Sequence, residues 1–80
     1  MLRSTILEAV DTQLRQDTPP ETRHTFERLL AAGYPEPEVR RMIGRALVHE
    51  IYAVMKHNEL YNESRYIATL RRLPLEPEEQ

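Results

Sequence analysis

The stretch 36–57, EPEVRRMIGRALVHEIYAVMKH, decides how the rest of this chain is arranged. Val39, Ile43, Ala46, Leu47 and Val54 recur at the three- and four-residue steps that align side chains on one face of an α-helix. Ile51 extends that face on one side, and Met42 and Ala53 extend it on the other. Val48, Tyr52 and Met55 form a second apolar group roughly opposite, beside Gly44. A surface helix ordinarily has one apolar stripe and one wet face, so apolar material on two faces predicts a helix packed on both. About 20 residues at about 1.5 Å each make a rod of roughly 30 Å, the width of a small domain. The remaining chain has to wrap around it.

The flanking segments carry helix starts and stops. Upstream, Gly33 reads as a left-handed helix end that folds Tyr34 back onto Leu29, and Pro35 forbids simple continuation. The helix ending there buries Phe26, Leu29 and Leu30 and opens at Thr18-Pro19-Pro20-Glu21, with Thr18 as N-cap and Glu21 closing a capping box. Before it, Ile6, Leu7, Val10 and Leu14 make one stripe, Thr5 and Glu8 suggest a second box, and Asp17 closes the segment. Downstream, Asn58 ends the long helix, and Asn62 caps a fourth whose stripe is Tyr66, Ile67, Leu70 and Leu73. Tyr61 is placed to staple onto Tyr66 across that cap, and Pro74 ends the helix, leaving Leu75 to pack. The pattern predicts an all-α, four-helix bundle-like domain around one long central helix. Its helices fall at about 3–16, 19–32, 37–57 and 63–73, in a single domain over 1–75 followed by a mobile acidic tail over 76–80.

Composition narrows the function classes. Eighty residues make one domain, which buries only about 60% of its unfolded surface, so self-association is a common remedy. The absence of cysteine removes disulfides, thiolate metal sites and cysteine nucleophiles, and fits a reducing cytosol. No apolar run approaches the roughly 20 residues of a membrane span, and MLRSTILEAVD turns acidic too early for a signal peptide. The expected location is cytoplasmic. Net charge is −2; without Glu76, Glu78 and Glu79 the 13 acidic groups fall to 10 against 11 basic ones, or +1. Neither balance suits a nucleic-acid partner.

The segment HEIYAVMKHNELYNESRYIATLRRLP (49–74) resembles a family of small bacterial helical proteins known as a domain of unknown function. The resemblance runs through Glu50-Ile51-Tyr52, Val54 and Lys56, then the Tyr61-Asn62-Glu63-x-Arg65-Tyr66-Ile67 stretch and the closing Leu73-Pro74. Upstream, VDTQL (10–14), the Pro-Pro-Glu helix start and RLLAAGY (28–34) fit the same pattern, so the likeness covers roughly residues 5–75. It implies a helical fold and brings no catalytic residues with it. Relatives favour a glutamate and extra histidines in the first helix, where this chain has Asp11 and no histidine, so no metal role carries over.

Glu50 is the most informative side chain. Helical spacing puts it near the middle of the main apolar face, between Ala46 and Ala53, and a carboxylate there must find a partner or take up a proton. Antiparallel pairing of the second and third helices puts Arg23 opposite Ala46. The expectation is a buried Glu50–Arg23 ion pair, joined by Gln13, that pins helix register rather than doing catalysis.

Other chemistry has weaker signals. His49, Glu50 and His57 raise a metal reading, yet adjacent helical residues point about 100° apart, and Glu50 and His57 stand two turns apart. A zinc HExxH pair would need histidine where Ala53 stands, and di-iron bundles use Glu-x-x-His where this chain has only His24-x-x-Glu27. Ser4 and Ser64 sit at helix starts, not in a nucleophile elbow, and Gly33 and Gly44 alone make no phosphate loop. No metal or cofactor is expected. Arg41 with Arg45, and Arg65 with Arg72, share faces and form a candidate anion-binding patch, although Glu36, Glu38 and the tail lie nearby. RLLAAGYPEPEVRRMIGRAL (28–47) has the outline of a helix-turn-helix, but its long helix is needed for the core.

The reading these residues favour is a small interaction module, self-associating as a homodimer through Gly44, Val48, Tyr52 and Met55, with a further protein partner unspecified. An anion or nucleic-acid binder using the arginines is the alternative. A helical metalloprotein using Glu50 with His57 or His49 comes after both.

Overall fold

The computed structural model describes residues 2–75, with side chains from Ser4 onward; the acidic tail 76–80 lies outside the described residues. Four helices follow one another: α1 (Leu2–Gln16), α2 (Pro20–Ala31), α3 (Glu36–His57) and α4 (Glu63–Arg72). The fold is all-α, and each helix boundary falls within one residue of its expected place. The molecule measures 36 × 24 × 21 Å. Its long dimension is close to that of α3, whose 22 residues span roughly 33 Å.

Three of the helices stop by the same backbone device. Asp17, Gly33 and Asn58 take φ values of 57°, 102° and 54°. In each case the next N–H returns to a carbonyl five residues back: Thr18 to Gln13, Tyr34 to Leu29 and Glu59 to Val54, at 3.1–3.2 Å. This closure satisfies carbonyls that a helix end leaves orphaned. Asp and Asn reach the left-handed region more readily than other side-chain-bearing residues, which is why those positions can stand in for glycine.

The starts differ more from expectation. The capping box at Thr18 and Glu21 does not form: α2 begins one residue later, after Pro19, and Thr18 Oγ1 donates to the Gln16 carbonyl at 3.1 Å. Pro19 and Pro20 have no N–H, so fewer orphan donors at this end need a side-chain acceptor. Thr5 and Glu8 form no box either, because α1 is already helical at Leu2. Asn62 does cap α4, accepting from Arg65 N at 3.0 Å, and the Tyr61 and Tyr66 rings sit 6.3 Å apart across that cap. The far end of α4 is held by Arg28 of α2, whose Nη1 and Nη2 donate to the Leu73 and Leu70 carbonyls at 2.9 and 3.1 Å.

Val10, Leu29, Val39, Ile43, Ala46, Ala53, Tyr66 and Leu70 are the centre of the core. On α2, Leu29 alone of the three expected apolar residues is fully buried: Phe26 is half-buried beneath the Arg40 guanidinium, 5.5 Å from the ring centroid, and Leu30 is exposed. Thr22 and Thr25 fill the inner face of α2 instead. Leu75 does not pack and is exposed.

α1 runs antiparallel to α3. Asp11 pairs with Arg40, and further along α3 the side chains of Ile6 and Leu7 lie against Gly44. A Cβ on Gly44 would stand 3.2 Å from Ile6 Cγ2, so the glycine permits this close approach. The 15 residues of α1 span roughly 22 Å, about 10 Å less than α3. Little more than one turn separates Ile6 from Leu2, so the described turns of α1 reach about the level of Val48. Beyond that level α3 continues for more than two turns with its inner side covered by α4 and the 58–62 connection.

Candidate functional site: a paired carboxylate and an uncovered helix face

Glu50 is buried, with 2% of its surface exposed. Its partner is Arg65, not Arg23. Arg65 Nε donates to Oε1 at 2.8 Å and Nη2 to Oε2 at 3.0 Å, a two-pronged contact, while the backbone N–H of Asn62 donates to Oε2 at 2.9 Å. The third arm of the guanidinium, Nη1, donates to Glu59 at 2.8 Å. The Asn62 cap places Arg65 in the first turn of α4, facing back onto α3, so the sequence that starts the helix also delivers the counter-ion. Arg23 is held elsewhere. It donates to the Leu14 carbonyl at the end of α1 and lies 3.5 Å from Asp17, because the short turn between α1 and α2 brings it to the negative end of α1.

Burial pushes the Glu50 carboxyl up, but the hydrogen bonds from Arg65 and Asn62 and the Arg65 charge outweigh it and hold it below the ordinary carboxylate value. Arg65 is correspondingly held more firmly in its charged form by Glu50 and Glu59. Both Glu50 oxygens are engaged, Oε1 by one donor and Oε2 by two, and the three bonds tie the middle of α3 to the start of α4.

Gln13 takes no part in that pair. Its Oε1 accepts from Thr22 Oγ1 and from Tyr66 OH, both at 2.8 Å, joining α1, α2 and α4 through one amide. Burial pushes the Tyr66 phenol up to about 12. No buried side-chain nitrogen or oxygen among the described residues lacks a hydrogen-bond partner. No cluster of three His, Asp or Glu able to hold a metal occurs among them either, and His57 is exposed at the end of α3.

The four expected interface residues divide. Gly44 is inside the fold, against Ile6 and Leu7, and is not available to a second molecule. Val48, Tyr52 and Met55 are exposed at 42%, 55% and 76%, and Ile51, assigned from the sequence to the inner face, joins them at 39%. The outer line of α3 thus reads Arg41, Arg45, Val48, Tyr52, Met55 in steps of four, three, four and three, with Ile51 beside it.

The arginine patch divides as well. Arg65 is committed to Glu50 and Glu59, and Arg72 stands exposed on α4. Arg41 and Arg45 are exposed on α3, and neither makes an ion pair with a described residue. A cleft of about 400 Å³ between α2 and α4 is lined by Glu21, His24, Thr25, Arg28 and Arg71. There Arg28 is engaged by carbonyls and Arg71 faces Glu21 at 4.0 Å, so its charges are largely compensated. No described helix is long and apolar enough to cross a membrane. No protein-family model, no curated protein and no solved structure matches the chain.

Proposed function

We propose that this protein is a small helical interaction module whose docking surface is the outer face of α3, its apolar part lying beyond the turns that α1 covers. The observation that supports it is the line of Val48, Tyr52 and Met55, with Ile51 alongside, left exposed on an otherwise well-packed helix. Apolar side chains grouped in this way tend to mark protein contacts, whereas scattered ones do not. The burial of Glu50 and its pairing with Arg65 and Asn62 favour a structural role for it over a catalytic or metal-binding one. Membership of the small bacterial helical family that the sequence resembles, and a cytoplasmic location, belong to the same proposal.

Spacing alone would let the stripe pair with a copy of itself, so self-association is the first use to test. Sedimentation at micromolar concentration tests it: a dimer that Val48→Glu dissociates, with helicity and melting temperature kept, supports pairing of two copies. A monomer at every concentration leaves the face for another chain. Loss of folding in Val48→Glu and also in Met55→Glu overturns the module reading, since the stripe would then belong to the core. Anion or nucleic-acid binding has less support, because Arg65, one of the four arginines assigned to it, is committed to Glu50 and Glu59.

A further inference from the structure

We infer that the occupant of this face is an acidic amphipathic helix from another protein, laid lengthwise along Arg41, Arg45, Val48, Tyr52 and Met55. The inference rests on the docking reading above and names the partner's chemistry. The alternation of three- and four-residue steps suits a helix lying along a helix, since that spacing keeps a straight seam between two rods. The seam changes character along its length. Its first two positions are guanidinium groups and its last three are apolar, so the complementary helix carries carboxylates in two successive turns and apolar side chains in the next two.

Charge decides against a second copy. From Val39 to His57 the only carboxylate on α3 is Glu50, which is buried and neutralised by Arg65. Arg23, Arg28, Arg40, Arg65 and Arg71 are engaged by carboxylates or carbonyls, while Arg41 and Arg45 have no ion pair among the described residues. Lys56 also carries positive charge on this stretch of α3, lying 5.6 Å above the Tyr52 ring. Two parallel copies of α3 would set Arg45 against Arg45. Two antiparallel copies crossing near Ile51 and Tyr52 would bring Arg45 of one to within about 3 Å, along the axis, of the level of Lys56 on the other. Like charges meet in both arrangements. A lipid surface fits less well, because an interfacial helix carries its cations along the margins of a broad apolar face, whereas here they continue the apolar line end to end.

The test uses fluorescence anisotropy with a labelled designed peptide about 18 residues long, with glutamates along one half of a face and leucines along the other. A control peptide has glutamine at each glutamate. The acidic peptide is expected to bind about tenfold tighter than the control, since two exposed charge pairs contribute about that much between them, and to weaken as salt is added. The double variant Arg41→Glu, Arg45→Glu, whose positions are exposed, is expected to lose that preference. It should instead favour a third peptide with lysine at each glutamate.

Equal binding of the acidic and glutamine peptides keeps α3 as a docking face and overturns the acidic partner. Stronger binding to vesicles containing anionic lipid than to the acidic peptide overturns it in favour of a membrane, and a homodimer that excludes the peptide overturns it in favour of a second copy. Binding of none of these probes, in a folded monomer, overturns both the partner and the docking reading.

Discussion

Two turns of α3, one at Gly44 and one at Met55, share the same outer sector of one helix and have opposite fates. At Gly44 the side chains of Ile6 and Leu7 press in so closely that a methyl group would crowd Ile6 at 3.2 Å. Three turns on, Met55 is 76% exposed. Local apolarity does not explain the difference, since glycine is the covered residue and methionine the bare one. Cover does: among the described residues, α1 runs from Leu2 and lays Ile6 and Leu7 on Gly44, so its described turns reach only to about the level of Val48. The inner side of α3 shows no such step, because α4 and its Asn62 cap continue over Glu50 where α2 leaves off. Among the described residues, the apolar line is therefore left exposed on one side of α3 only, beyond the turns that α1 covers.

The largest effect expected from breaking that arrangement comes from the inner side. Arg65→Met leaves the Glu50 carboxylate buried with only the Asn62 N–H as partner. Stranding a buried charge is strongly destabilising, and in a domain of this size the melting temperature should fall by roughly 10 °C or more. The pH dependence should also reverse. In the parent the Glu50 carboxyl is held below its ordinary value of 4.5, so its contribution is fully present above that value and is lost as pH falls through the lower folded value. In Arg65→Met burial dominates, the carboxyl rises, and the variant should gain stability on acidification relative to neutral pH. Urea unfolding across this range measures both signs. A variant that melts like the parent with an unchanged pH profile would show that Glu50 is not sealed in.

Next in size is the covered turn. Gly44→Leu drives a branched side chain into Ile6 and Leu7, and overpacking of this kind should destabilise by about 1–3 kcal/mol, less whatever the better helix propensity of leucine returns. Chemical denaturation is the measurement. A Gly44→Leu variant as stable as the parent would mean that α1 can lift from α3, and the contrast between the two turns would disappear.

Much of this frame can be read from the residues, and what could not be read has a physical reason. Helix ends are written locally: Gly33, Asn58, Asn62 and Pro74 each act within a turn of themselves, and the structure uses each where the sequence puts it. The polar burial of Glu50 was also legible, from its place between Ala46 and Ala53. Its partner was not, because choosing between Arg23 and Arg65 depends on which helix crosses the C-terminal half of α3, a non-local question. One local clue existed: Asn62 as N-cap fixes Arg65 in the first turn of α4, facing back along the chain. Gly44 misled for a related reason. A glycine within a helix signals close approach, and nothing in its own neighbourhood says whether the visitor is α1 or another molecule.

A third test concerns Tyr66, whose phenol is pushed up to about 12 from its ordinary 10.0 by burial under α1 and α2. A phenol that resists ionisation when folded contributes stability below 10.0 and loses it as pH rises toward 12. Tyr66→Phe should flatten that alkaline loss while leaving Gln13 with one hydroxyl fewer, a cost near 1 kcal/mol at neutral pH. Unfolding midpoints at neutral and alkaline pH separate the two contributions.

The smallest stability effect should come from the bare turn, and there its smallness is informative. Met55→Ser removes an exposed thioether, so unfolding free energy should move by no more than about 0.5 kcal/mol. The same substitution removes the most exposed apolar side chain of the seam, and binding of the acidic helix should weaken clearly. Stability and binding would then respond to α3 at two separate places: Gly44→Leu would act mainly on folding, and Met55→Ser mainly on association. A Met55→Ser variant that melts well below the parent would show that Met55 is held by the fold after all, and the contrast between the covered turn and the bare one would disappear.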